Sequence, residues 1–186
     1  MRNDDVYLQL YIIRHAESMG NIETDEPFDK TNPPLTLLGK KQAKAVGKRF
    51  VGFCPDALIA SPLARAYETA EQISFSCKTE IEIDDSLVEC GTCGEEPEEA
   101  CIERAKAVIE KIKEKYSGNQ SVILVSHACF IEKLIYAVLG CDTMKFCVYN
   151  TSVTKINFRK NKKNKLAFHN DISHLSNLDG DKTFWM

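Results

Sequence analysis

Arg14-His15, Ser61 with Arg65, and Ser126-His127 are the residues of this sequence whose types could do chemistry together. Each group directly follows a short apolar run, at residues 7–13, 57–60 and 122–125. If the runs are strands of an open parallel sheet, their carboxyl ends share one edge. Helix N-termini present their free amides along that edge, and the three exits converge on an anion. Arginine suits an anion because its planar fork donates paired hydrogen bonds to phosphate or carboxylate oxygens, and Arg14 with Arg65 would neutralise a dianion. Histidine adds a nucleophile: a neutral imidazole attacks phosphorus once a hydrogen bond at its other nitrogen fixes the tautomer. One histidine would attack while the other braces the equatorial oxygens of the transition state. Singly, each residue reads as an ordinary polar group at a strand end; the joint pattern carries the inference.

The elements that would hold these residues are legible in the apolar spacing. The three runs are apolar throughout and rich in branched side chains, which suits strands buried on both faces of a mainly parallel sheet. Helical stripes fill the gaps: Ala43, Val46, Gly47 and Phe50 after an expected N-cap at Thr36; Cys101 through Tyr116; and Phe130 through Leu139. Alternation of this kind predicts an α/β fold, a three-layer α/β/α sandwich around a mainly parallel, doubly wound sheet. Residues 153–158 and 166–169 read as two later strands, with the lysine-rich stretch 160–165 as a solvated turn. One domain over residues 1–186 is expected at this length.

With 24 basic and 27 acidic residues, the charge balance calls for neither nucleic acid nor a membrane surface as partner. No apolar run reaches a membrane span, and Met1-Arg2-Asn3-Asp4-Asp5 lacks a secretory pattern, so the expected location is the cytoplasm. Eight cysteines are scattered along the chain; Cys54, Cys77, Cys129, Cys141 and Cys147 have apolar sequence neighbours and read as reduced thiols in the core. Cys90-Gly91-Thr92-Cys93, with Cys101 beyond it, could bind zinc or cycle through a disulfide. Without a fourth ligand at matched spacing, inert thiols are the expectation there too, and no metal is expected.

Five motifs in order resemble the histidine phosphatase superfamily, in its phosphoglycerate-mutase-like branch of small phosphatases. They are Arg14-His15-Ala16-Glu17-Ser18 with Asn21; Leu35-Thr36-Leu37-Leu38-Gly39 with Gln42-Ala43; Ser61-Pro62-Leu63-Ala64-Arg65-Ala66 with Thr69-Ala70; Leu87-Val88-Glu89; and Val125-Ser126-His127-Ala128. Asn150 to Thr154 and Asn170 to Leu175 resemble the tail of the small phosphatase members. The resemblance implies a metal-independent and cofactor-independent phosphatase that forms a covalent phosphohistidine on His15. It implies Arg14, Arg65 and His127 as the phosphate pocket, Glu89 as general acid and base, and Asn21 and Ser18 as further substrate contacts. Glu82, Glu95, Glu96, Glu98 and Glu99 are rival carboxylates near Glu89. Ala16 and Ala128 stand where the family usually has glycine, a change that would cost energy wherever φ must be positive.

Two other functions compete. A mutase must retain its intermediate and exclude water, which its relatives do with a longer insertion near the acid; here seven residues lie between Glu89 and Pro97, where the next helix is expected to start. A non-catalytic phospho-ligand binder would keep the pocket without turnover. The substrate, a small phosphorylated metabolite or a phosphoprotein, would be chosen by loops 22–34 and 89–97. Glu23, Asp25, Glu26 and Asp29 make the first loop acidic, which would disfavour polyanions.

Overall fold

β1 (Val6–Arg14) buries Leu8, Leu10 and Ile12 on one face and Ile13 on the other. Burial on both faces is what an internal strand requires, and β1 lies inside a six-stranded sheet. The computed structural model describes residues 5–92, 95–176 and 178. After β1 come α1 (Leu37–Arg49), β2 (Ala57–Ala60), α2 (Ala64–Cys77), β3 (Ile81–Ile83), α3 (Glu98–Lys115), β4 (Gln120–Ser126), α4 (Ala128–Leu139), β5 (Val153–Arg159) and β6 (Lys165–Asp171). The strand order is β3-β2-β4-β1-β5-β6. The pairs β3-β2, β2-β4 and β4-β1 are parallel, whereas β5 and β6 add an antiparallel hairpin beside β1.

The expected three layers are present. On one face, Leu10, Ile59 and Leu124 pack with Ala105, Val108 and Ile109 of α3 and Phe130, Ile131 and Leu134 of α4. On the other face, Leu58, Ile123 and Val125 pack with Val46 of α1 and Ala66, Ala70 and Ile73 of α2. Burial of an aliphatic side chain stabilises by about 1.5–3 kcal/mol, so these two clusters are the main driving force for folding. Two elements escaped the sequence reading. The α2 stripe Ala66, Thr69, Ala70, Ile73 and Cys77 has helical spacing hidden by polar neighbours, and β3 is three residues long and mostly exposed. No helix among the described residues is long and apolar enough to cross a membrane.

The cysteine expectation needs correction. Cys54, Cys129 and Cys147 are exposed and Cys141 is intermediate, leaving Cys77 as the buried free thiol. Cys90 is bonded to Cys101, the first-turn residue that α3 turns toward the loop after Glu89. The inert thiols expected at Cys90 and Cys101 are therefore replaced by a disulfide, because the tertiary fold, rather than local spacing, sets which sulfurs meet; Cys93 lies outside the described residues.

Candidate active site

Arg14 ends β1, and its Nη1 donates to the Val148 carbonyl at 2.7 Å, which steers the guanidinium along the sheet edge. His15 follows with 3% of its surface exposed. Its Nδ1 lies 2.7 Å from the Ala16 carbonyl, an acceptor, so Nδ1 carries the proton and Nε2 keeps its lone pair. The His15 backbone is clamped on both sides. Its N–H donates to the Ser126 carbonyl, and its own carbonyl accepts from the Asn150 amide and the Thr151 N–H. Thr151 adopts φ of 56°, the left-handed turn that lets its N–H reach back to the Arg14 and His15 carbonyls.

The loop after His15 is pinned by α1 and α2. The Ala16 N–H donates to Thr69 Oγ1, the Glu17 N–H donates to Gln42 Oε1, and Thr36 both donates to Glu17 and caps α1 through the Gly39 N–H. Gly39 is required there: a Cβ at this position would come within 1.9 Å of the Glu17 carbonyl oxygen. Neither Ala16 nor Ala128 has positive φ, so alanine is accommodated at both sites without backbone strain.

Arg14, His15, Ser18, Asn21, Arg65 and Glu89 line one cavity of about 490 Å³. Six of the seven residues singled out from sequence therefore meet. The seventh, His127, is fully buried and is not among the residues lining the cavity; its ring centroid lies 5.0 Å from that of His15. His127 Nε2 is 2.8 Å from Ser61 Oγ, and Nδ1 has no partner among the described residues. The Asn21 side-chain oxygen accepts from the Ser18 N–H and hydroxyl, which ties these two residues to each other.

Glu89 holds its place through helix geometry. Its carboxylate accepts from the N–H groups of Cys129 and Phe130 in the first turn of α4, where the helix dipole favours negative charge, and from the Cys90 N–H. Arg104 fixes the preceding segment by donating to the Ser86 and Val88 carbonyls while it pairs with Glu96. None of the rival carboxylates Glu82, Glu95, Glu96, Glu98 and Glu99 lines this cavity. Glu96 pairs with Arg104, Glu98 with Lys133 and Glu82 with Lys115, and among the described residues Glu89 is the carboxylate that lines the cavity.

Burial dominates the electrostatics. It holds the His15 imidazole well below its ordinary pKa of 6.5, with the neighbouring His127 and Arg14 adding to the effect. His127 is lowered to about 3, by burial first and then by Arg65 and Arg14. Both rings are therefore neutral at pH 7. A neutral imidazole with a fixed tautomer, two guanidinium groups and one carboxylate around a single cavity can carry out nucleophilic transfer of a phosphoryl group.

Gly20, Lys30, Thr31, Pro33, Leu63 and Thr92, none singled out individually from sequence, complete the cavity wall; Lys30, Thr31, Pro33 and Thr92 fall in the two loops expected to choose the substrate. The charge expected of loop 22–34 is reversed at the cavity: Lys30 lines it, while Glu23, Asp25, Glu26 and Asp29 do not. Arg104 and Asn150 were also missed as positioning groups, since both act through contacts across long stretches of chain that no local pattern marks.

The sequence profile of the Histidine phosphatase superfamily (branch 1) matches residues 10–93 and 91–171. Phosphoserine phosphatase 1 of Hydrogenobacter thermophilus is 28% identical over 170 residues, covering 75% of this chain and 80% of that protein. A probable phosphoglycerate mutase GpmB of Salmonella paratyphi A is 27% identical over 187 residues, covering 82% of this chain and 86% of that protein. Among solved structures, a mutant phosphoserine phosphatase from Entamoeba histolytica in complex with phosphoserine superposes with a TM-score of 0.76, over 90% of this chain and 99% of that one, at 22% identity.

Proposed function

The chain belongs to the histidine phosphatase superfamily, branch 1, and from that premise we propose that it hydrolyses a small phosphate monoester through a covalent phosphohistidine on His15. The observation that carries the assignment is the hydrogen bond from His15 Nδ1 to the Ala16 carbonyl, which leaves Nε2 as the nucleophilic nitrogen of a neutral ring in the cavity wall. In the first half-reaction Nε2 forms a bond to phosphorus as the bond to the ester oxygen breaks, and Glu89 gives that oxygen its proton. In the second, Glu89 takes a proton from water, the water oxygen bonds to phosphorus, and the N–P bond breaks to release inorganic phosphate. Arg14 and Arg65 bind the phosphoryl oxygens, whose charge they neutralise in the transition state as metal ions do in kinases. His127 donates to a further oxygen from Nδ1 while the Ser61 hydroxyl donates to its Nε2. Ser18 and Asn21 contact the same phosphate from the loop after His15.

A small metabolite is the preferred substrate class, because two relatives are named for phosphoserine and phosphoglycerate. The second name keeps mutase chemistry as the competing reading. Hydrolysis is favoured by the short segment after Glu89: α3 starts at Glu98 and Cys101 tethers Cys90, so this segment supplies no long cover to hold water out. Incubation with 3-phosphoglycerate and a 2,3-bisphosphoglycerate primer tests both readings. Release of inorganic phosphate, together with an acid-labile, base-stable phosphoenzyme that disappears in His15→Ala, is expected. Interconversion of 2- and 3-phosphoglycerate faster than phosphate release would replace the phosphatase with a mutase.

A further inference from the structure

The 490 Å³ cavity is far larger than a phosphate group needs, and its charge is not balanced. Three cationic residues, Arg14, Lys30 and Arg65, line it against one carboxylate, Glu89. The two arginines match a phosphate dianion. Lys30 is left over: among the described residues, its amine has no ion pair. Its backbone is nonetheless held in place. Asp29 Oδ1 accepts from the N–H and hydroxyl of Thr31, and Asn32 Oδ1 accepts from the Ala64 N–H, one residue before Arg65. These bonds spend the Asp29 carboxylate on the turn and couple the lysine-bearing loop to the start of the helix that carries Arg65.

We infer that Lys30 is a specificity-determining residue, and that the substrate is a phosphate monoester with a carboxylate on the carbon skeleton next to the phosphate. The argument rests on the phosphatase reading above for its chemistry. Its own content is one of charge and geometry: a single ammonium at the cavity wall matches a monoanion, whereas a second phosphoryl dianion would call for another arginine fork. The carboxylate pairs with Lys30 while Arg14 and Arg65 hold the phosphate.

3-Phosphoglycerate and glycerol 3-phosphate make the test, since they share the ester and the three-carbon skeleton and differ by carboxylate against hydroxymethyl. Phosphate release should give wild-type protein a kcat/KM ratio of about three- to tenfold in favour of 3-phosphoglycerate, the range of a partly solvated ion pair. Lys30→Gln should bring that ratio close to one, and Lys30→Arg should keep most of it. A ratio that is already one, or that survives Lys30→Gln, overturns the inference; 2,3-bisphosphoglycerate outperforming both would overturn the choice of a carboxylate. Calorimetric binding of the two esters to His15→Ala, with and without Lys30→Gln, reads the same preference without turnover. If no ester is hydrolysed, the phosphatase reading fails, while the binding ratio still decides the role of Lys30.

Discussion

His15 is useful only as a neutral ring with a fixed tautomer, and both conditions come from its immediate neighbours. The Ala16 carbonyl holds the proton on Nδ1, while burial, assisted by His127 and Arg14, opposes protonation of the ring. A pH titration of histidine ring resonances, assigned with His15→Ala and His127→Gln, should therefore show neither ring changing charge between pH 7.5 and 6. A midpoint near 6.5 for His15 would remove the electrostatic basis of the proposed nucleophile. Removing the nucleophile gives the complementary measurement: His15→Ala should lower kcat by at least about a thousandfold, since residues acting as one unit lose nearly all their effect together. Arg14, His15, Arg65 and Glu89 were legible in the sequence because each sits immediately after a strand or inside a compact motif. Lys30 was not, because the four carboxylates around it masked its sign and only the folded loop shows which side chains line the cavity.

At the scale of elements, the site depends on two close approaches. The first is α1 against the loop after His15, where Gly39 leaves no room for a methyl group beside the Glu17 backbone. Gly39→Ala should cost about 1–3 kcal/mol, in the range of overpacked cores, and should move the urea midpoint down. Gly118→Ala, where the nearest atom to a new Cβ is 3.7 Å away, is the control and should stay near wild type. The second approach joins α3 to the loop after Glu89. Arg104 donates to two carbonyls there, and the Cys90–Cys101 bond closes a short chain segment. A cross-link over so short a loop stabilises by about 3 kcal/mol in the chain-entropy view. Cys101→Ser should lower stability by up to that amount, and non-reducing peptide mapping should recover Cys90 joined to Cys101. Equal stability with and without reductant would argue that the cross-link contributes nothing in solution. Apolar runs and helical stripes made β1, β2, β4, α1, α3 and α4 readable. By contrast β3 is too short to show a period, and the Cys90 pairing depends on how α3 packs, which one-dimensional spacing does not encode.

Across the whole molecule, the alternation of strand and helix foretold the layers, but the antiparallel hairpin of β5 and β6 at the edge required the fold, because burial pattern alone does not distinguish strand direction. The same packing sets how stability must change with pH. His127 is held at about 3 and His174 at about 4, burial being the first cause in each, and His15 is lowered as well. Their ordinary pKa is about 6.5 in an unfolded chain. Above that value both states are neutral and these groups make no difference. As pH falls below 6.5, the unfolded chain binds protons that the folded chain refuses, so stability must decrease. For His127 and His174 the loss approaches about 1.4 kcal/mol per pH unit, or roughly 2 kcal/mol each at pH 5, and His15 acts in the same direction. The lowered carboxylates, Asp84 held down against burial by Lys111 and Asp171 held down against burial first by the Ser173 N–H and then by Arg49, act in the same direction but only in a more acidic window, below about pH 4. Urea unfolding should therefore show a clear drop in stability between pH 7 and pH 5, above the window in which the lowered Asp84 and Asp171 take up protons. His127→Gln, which can keep a hydrogen bond to Ser61, should flatten the slope by close to one proton. Stability that is level from pH 7 to pH 5 would mean that the buried histidines take up protons in place, and the neutral-ring chemistry assigned to His15 would lose its foundation with it.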